Sequence, residues 1–214
     1  MIRFLDLEDE HTIYSASGQI EFLIFYDRIK HLVDFYNYSM KCYQDLLAQK
    51  NQERTDIENN IEEILKSAES HEIYLTRDEV YIPIEEEILG IEMNFLEYQK
   101  MTFIIILFSE IEKLIDNLYE LNQQPGNVKN INIKLQKLYL NKRINEKDTN
   151  RILDIFNNLR LIRNKLVHRY DHWDDEITFG GSIYKGIQQL SDELLEYLVN
   201  SITGLIKKLD EGYK

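Results

Sequence analysis

Eight glycines and two prolines in 214 residues leave too few turn formers for a strand-rich fold. Tight turns draw on the positive-φ freedom of Gly and the fixed φ of Pro. Between Gly18 and Gly90 the only breaker is Pro83, and apolar residues recur at helical spacing through Ile20, Leu23, Ile24, Ile29, Leu32, Val33, Tyr36, Tyr43 and Leu47. That spacing predicts one long helix. Residues 51–70 are polar, yet Ile57, Ile61, Ile64 and Leu65 keep a narrow stripe, which predicts a second helix or an extension of the first. Pro83 followed by Glu85, Glu86 and Glu87 reads as a helix start, and the pattern runs on to Tyr119 before Pro125-Gly126 stops it. A short helix is expected over 132–142, a strongly periodic one over 148–170, and a last amphipathic one over 187–209. The alternation of Ile73, Leu75, Val80 and Ile82 around Arg77-Asp78-Glu79 predicts one small hairpin near residues 72–82. The expected fold is all-α, an antiparallel bundle of long helices.

Hydrophobic residues make up 43% of the chain, enough for a sizeable core. Cys42 is the single cysteine, so neither an intrachain disulfide nor a cysteine-rich zinc site can form. The first ten residues lack the apolar run of a signal peptide, and the longest apolar stretch, Phe103 to Phe108, is far too short to span a bilayer. A soluble, cytoplasmic protein without membrane partners is the expectation. The net charge of -13 argues, as a total, against nucleic acid. Its distribution argues otherwise. Residues 125–170 carry 11 basic and 3 acidic side chains, a net of +8. At physiological salt, charges beyond about 8 Å are largely screened, so a local basic patch can contact phosphates on an acidic protein.

That segment contains Leu159-Arg160-Leu161-Ile162-Arg163-Asn164-Lys165-Leu166-Val167-His168-Arg169-Tyr170. An Arg followed five residues later by His is weak evidence alone. Asn directly after the Arg, and Tyr two beyond the His, make the combination specific. Arg163-Asn164-x3-His168 at the end of a long amphipathic helix resembles the signature of the HEPN superfamily. With Tyr170 it is also similar to the Arg-x4-His-x-Tyr form of HEPN toxins. The resemblance covers residues 84–210, so 83–214 are expected to form a HEPN-like helical core, with 1–82 an N-terminal helical extension packed on it. On the preceding long helix, Glu112 resembles the acidic residue many members carry, and Glu110 aligns equally well.

The resemblance implies a metal-independent endoribonuclease without cofactors, acting as a homodimer in toxin–antitoxin or anti-phage defence, with RNA and an antitoxin or activator protein as partners. The residue chemistry agrees. Cleaving RNA through its own 2'-hydroxyl needs a group that takes and gives a proton near neutral pH, which suits His168. It also needs a fixed cation where negative charge develops, which suits the planar donors of Arg163. Asn164 and Tyr170 could orient the imidazole or the phosphate. Arg160, Lys165 and Arg169 are candidate RNA-backbone contacts. On an ideal helix, Arg163 and His168 lie about 140° apart and about 7.5 Å apart along the axis. Either the helix distorts near Val167, or the working cleft combines two chains.

Two rivals stand beside this. One is a catalytically inactive HEPN-like module that binds RNA, a nucleotide or a partner protein. The other is a helical dimerisation protein in which His168 merely caps a helix. Other constellations carry less: Glu8-x-x-His11 has no second copy to complete a metal site, and Gly180-Gly181-Ser182 lacks the lysine of a phosphate loop.

Overall fold

The computed structural model describes residues 1–3, 15–122, 128–168, 172–179, 181–186 and 189–214. Among the described residues the protein is an all-α helical bundle with one small two-stranded hairpin. The helices are α1 (Ile20–Ser70), α2 (Arg77–Gly90), α3 (Leu96–Leu121), α4 (Ile131–Asn141), α5 (Glu146–Val167) and α6 (Asp192–Glu211), with strands β1 (His172–Phe179) and β2 (Ser182–Gly186) between α5 and α6. Among the described residues no helix is long and apolar enough to cross a membrane.

Contacts divide the chain into two compact units, one of Met1–Asn37 with Lys100–Lys214 and the other of Tyr38–Gln99. α1 is one helix that contributes residues to both units.

In the larger unit, the start of α1 runs antiparallel to α3. Arg28 meets Glu110, and the Tyr36 ring packs edge-on against Phe103. The buried face of α3 includes Phe103, Ile104, Leu107, Phe108, Ile111 and Ile115, the i, i+3, i+4 stripe that the sequence displays. Phe108 stacks on Phe156 of α5 at 4.9 Å between ring centroids, and the fully buried Tyr139 of α4 donates its hydroxyl proton to the Leu205 carbonyl of α6 at 2.8 Å. Gly212 allows a close approach at the end of α6. A Cβ there would lie 2.8 Å from Cβ of Lys142, whose ammonium rests 3.4 Å from the Tyr213 ring centre.

In the smaller unit, the polar half of α1 continues as helix through local pairs such as Gln49 to Glu53 and Gln52 to Asp56, each at 2.9 Å. It runs antiparallel to α2, joined by Lys50–Glu87 at 2.7 Å, Arg54–Glu85 at 2.6 Å and Glu62–Arg77. The Tyr43 ring stacks on Phe95 in the π-helical turn Ile91–Phe95 that follows α2.

The hairpin expected near residues 72–82 is not there. Thr76-Arg77-Asp78-Glu79 is a capping box instead: the Thr76 hydroxyl accepts from the Glu79 N–H, and the Glu79 carboxylate accepts from the Thr76 N–H at 2.7 Å. α2 therefore begins before Pro83, which sits inside the helix and forfeits one backbone bond rather than starting it. The hairpin lies at 172–186, turned by Gly181 at φ +85°, with a register irregularity between His172 and Ile177. Its first strand reads His-Trp-Asp-Asp-Glu, and acidic residues are poor strand formers, so the sequence masks it.

α1 closes with the Ile73 N–H donating to the Ala68 carbonyl at 3.0 Å and Glu72 at φ +62°, the left-handed position that favours glycine. Replacing Glu72 with Gly should stabilise the smaller unit by about 1 kcal/mol, the cost of a Cβ in that conformation. Denaturant midpoints of the two proteins check this, and an unchanged or lower midpoint contradicts it.

Candidate functional site

The motif helix is fixed at both ends. The Asn145 side chain caps its start by accepting from the Asp148 N–H at 2.8 Å, and Asp148 takes a salt bridge from Lys208 of α6 at 2.7 Å. At the other end His168 is the C-cap, with φ -87° and ψ 2°, and its N–H still donates to the Asn164 carbonyl at 3.1 Å. The helix is regular through Val167. Arg163 and His168 therefore keep the angular separation of an ideal helix, about 140°, and the distortion that could have brought them together does not occur.

Two residues of α3 hold Arg163. Its guanidinium carbon sits 4.5 Å from the centre of the Phe108 ring, and one terminal nitrogen lies 3.7 Å from the Glu112 carboxylate. The side chain is 31% exposed, so it is supported on one side and open on the other. Burial pushes the Glu112 carboxyl above the usual range, with Arg163 acting against the rise and Asp116 adding to it. The ring that supports the guanidinium is itself locked by Phe156. A cation over an aromatic face keeps its outward N–H donors available.

Of the two equally aligned acids, Glu112 is the one facing the motif. Glu110 turns to Arg28, with nitrogen–oxygen distances of 2.8 and 3.1 Å, and to Lys113 at 3.0 Å. Burial opposes the Glu110 charge, but those two cations outweigh it and hold the carboxyl below its ordinary range. A carboxyl lowered in this way stabilises the fold above its unfolded titration range and loses that contribution as pH falls through its folded value. Glu110→Gln should therefore cost about 1 kcal/mol at pH 7, with the two melting curves converging as pH drops below about 4. A constant difference across that range would contradict the charge-based origin.

The remaining motif residues divide as follows. His168 and Asn164 are exposed, and Arg160 and Lys165 are half-buried. Arg160 has a buried Nε without a hydrogen-bond partner among the described residues. Arg169 and Tyr170 lie outside the described residues.

The basic segment is not one uniform surface. Lys134 is taken by Asp116 at 2.9 Å and, with Lys137, lies over the Tyr119 ring. Lys129, Arg143, Lys147 and Arg151 are exposed.

Phe108 escaped recognition as part of the site because it sits in the longest apolar run, where every residue reads as core. The available signal was its i, i+4 spacing from Glu112 on one face of α3. The arrangement can present a preoriented guanidinium to a phosphate and an exposed imidazole on a different azimuth of the same helix. Comparisons with protein-family models, characterised proteins and solved structures give no match to this chain.

Proposed function

We propose that the protein is a metal-independent endoribonuclease of HEPN type, cleaving RNA through its 2'-hydroxyl in a cleft built from two copies of α5. The observation that carries this is the pairing of a regular motif helix with a supported Arg163. Phe108 and Glu112 fix the guanidinium before substrate arrives, which is what electrostatic catalysis requires of a phosphate clamp. The regular helix keeps His168 away from Arg163 of the same chain, which favours a cleft across a two-fold axis over a single-chain one.

In this reaction His168 accepts the 2'-hydroxyl proton, and the 2'-oxygen attacks the adjacent phosphorus. The bond to the 5'-oxygen breaks, and that oxygen takes the proton from the His168 imidazolium, which returns to neutral imidazole. The products are a 2',3'-cyclic phosphate and a 5'-hydroxyl end. Arg163 bears the charge gathering on the non-bridging oxygens. Asn164 and Tyr170 position the imidazole or phosphate, and Arg160, Lys165 and Arg169 contact the RNA backbone. Toxin–antitoxin or anti-phage defence is the setting this chemistry suits, with an antitoxin or activator controlling it.

The Arg163–Glu112 contact favours a second reading, a catalytically inactive HEPN-like module for RNA, a nucleotide or a partner protein, because the carboxylate partly neutralises the cation. At 3.7 Å between half-exposed groups, a phosphate can displace it, so the contact suits a support more than a block. RNA incubated with the protein in EDTA separates the two. Cyclic-phosphate ends that depend on Arg163 and His168 support the nuclease, and binding without cleavage supports the module.

A further inference from the structure

Within the smaller unit, the connection from α1 to α2 exposes three consecutive apolar side chains, Ile73 at 53%, Tyr74 at 81% and Leu75 at 40%. Single exposed apolar residues are ordinary on a surface, but a contiguous run beside a concavity is not. Here an open concavity of roughly 500 Å³ adjoins the run, lined by the apolar Ile64, Ala68 and Ile73 together with Asn60, Glu63, Ser67 and His71. The backbone holds this shape. Glu72 in the left-handed conformation closes α1, and the Thr76–Glu79 capping box opens α2 three residues after Ile73.

The surrounding charge narrows the occupant. Residues 58–79 carry seven acidic and two basic side chains. Arg77 is engaged by Glu62, and Glu79 by its own cap. Glu63, Glu69, Glu72 and Asp78 are exposed around the apolar run. Nucleic acid and anionic bilayers are repelled by such a field, and so is the same surface of a second copy, since a two-fold contact would set like charges opposite one another.

We propose that this tip is a docking surface for a basic amphipathic segment of a partner protein, its apolar side chains entering the concavity beside Ile73 and its Lys and Arg side chains meeting the acidic rim. The apolar contact supplies affinity, and the charge supplies selectivity and rate of encounter.

The test uses the full chain and two labelled helical peptides of about 18 residues. Both carry the same Leu and Ile stripe, one flanked by Lys and Arg, the other by Glu. Fluorescence anisotropy should show the basic peptide binding at least about tenfold more tightly, with affinity falling as salt rises. The double variant Ile73→Ser/Tyr74→Ser should weaken it by about tenfold or more. These side chains are exposed, so the melting temperature of the variant should match wild type.

Equal affinity for the two peptides, no saturable binding of the basic one, or full affinity in the double variant would overturn the proposal. So would variant-sensitive self-association in sedimentation, or variant-sensitive binding to phosphatidylserine vesicles, which would assign the surface to a second copy or to lipid. None of these outcomes depends on RNA cleavage.

Discussion

His168→Ala should lower RNA cleavage about 10²- to 10⁴-fold, the range expected when a positioned proton-transfer group is removed. His168 is exposed, so its truncation should cost no more than about 1 kcal/mol of stability. Arg163→Ala should cost about 10²- to 10³-fold through loss of charge stabilisation on the phosphate. Arg163 packs on Phe108, and its truncation should also lower stability by about 1 kcal/mol. Arg163→Lys separates the two contributions, because a point charge restores the cation without the planar fork. A partial recovery is expected from it. Both effects are read in EDTA from the rate of cyclic-phosphate formation on an end-labelled RNA. Rates equal to wild type in both alanine variants would remove the motif from the chemistry.

The largest stability loss should come from a residue remote from that chemistry. Asp210, near the end of α6, is fully buried yet accepts hydrogen bonds from the Ser15 hydroxyl at 2.9 Å, the Ala16 N–H at 2.8 Å, the Ser17 N–H at 3.0 Å and hydroxyl at 2.5 Å, and the Tyr26 hydroxyl at 3.3 Å. One carboxylate thus ties the segment before α1 and the first turns of α1 to the last helix. Asp210→Ala strands several donors in the interior, and should cost about 3–5 kcal/mol. For a chain of this size that lowers the melting temperature by about 10 °C. Asp210→Asn keeps one acceptor oxygen but turns an amide toward donors, so it should be nearly as damaging. Ser17→Ala, which removes a single bond, should cost about 1 kcal/mol. A melting temperature unchanged in Asp210→Ala would contradict the role of this cluster.

Helical periodicity made most of the fold legible. Of the stripe from Ile20 to Leu47, Ile29, Leu32, Val33, Tyr36 and Tyr43 are buried along α1 while Ile20 and Ile24 stay exposed, and Ile152, Ile155, Phe156, Leu159, Ile162 and Leu166 face the core along α5. Burial is a property of spacing, so spacing reports it. Chain reversals were harder to read, because one residue pattern serves several local structures. Around Arg77, the alternation of Ile73 and Leu75 mimicked a strand, while the capping geometry of Thr76 and Glu79 decided the outcome. Beyond α5, the acidic strand had no apolar alternation to reveal it.

At the site, the motif was visible but its support was not. Glu110 and Glu112 differ by two positions, about 200° around a helix, and only three-dimensional packing shows which one meets Arg163. Asp210 could not be singled out in sequence, since its donors lie almost two hundred positions away. The basic segment located the motif, although part of its charge is spent inside the fold, on Asp116 and Tyr119.

The central claim is that Arg163 of one chain and His168 of another together complete each RNA-cleaving site of a dimer. Mixing Arg163→Ala and His168→Ala proteins, each inactive alone, tests it most directly. Random pairing makes half of the dimers mixed, and each mixed dimer holds one intact site of two, so activity in EDTA should return to about one quarter of wild type. A mixture as inactive as either variant alone, with mixed dimers verified by differential tagging, would contradict the account.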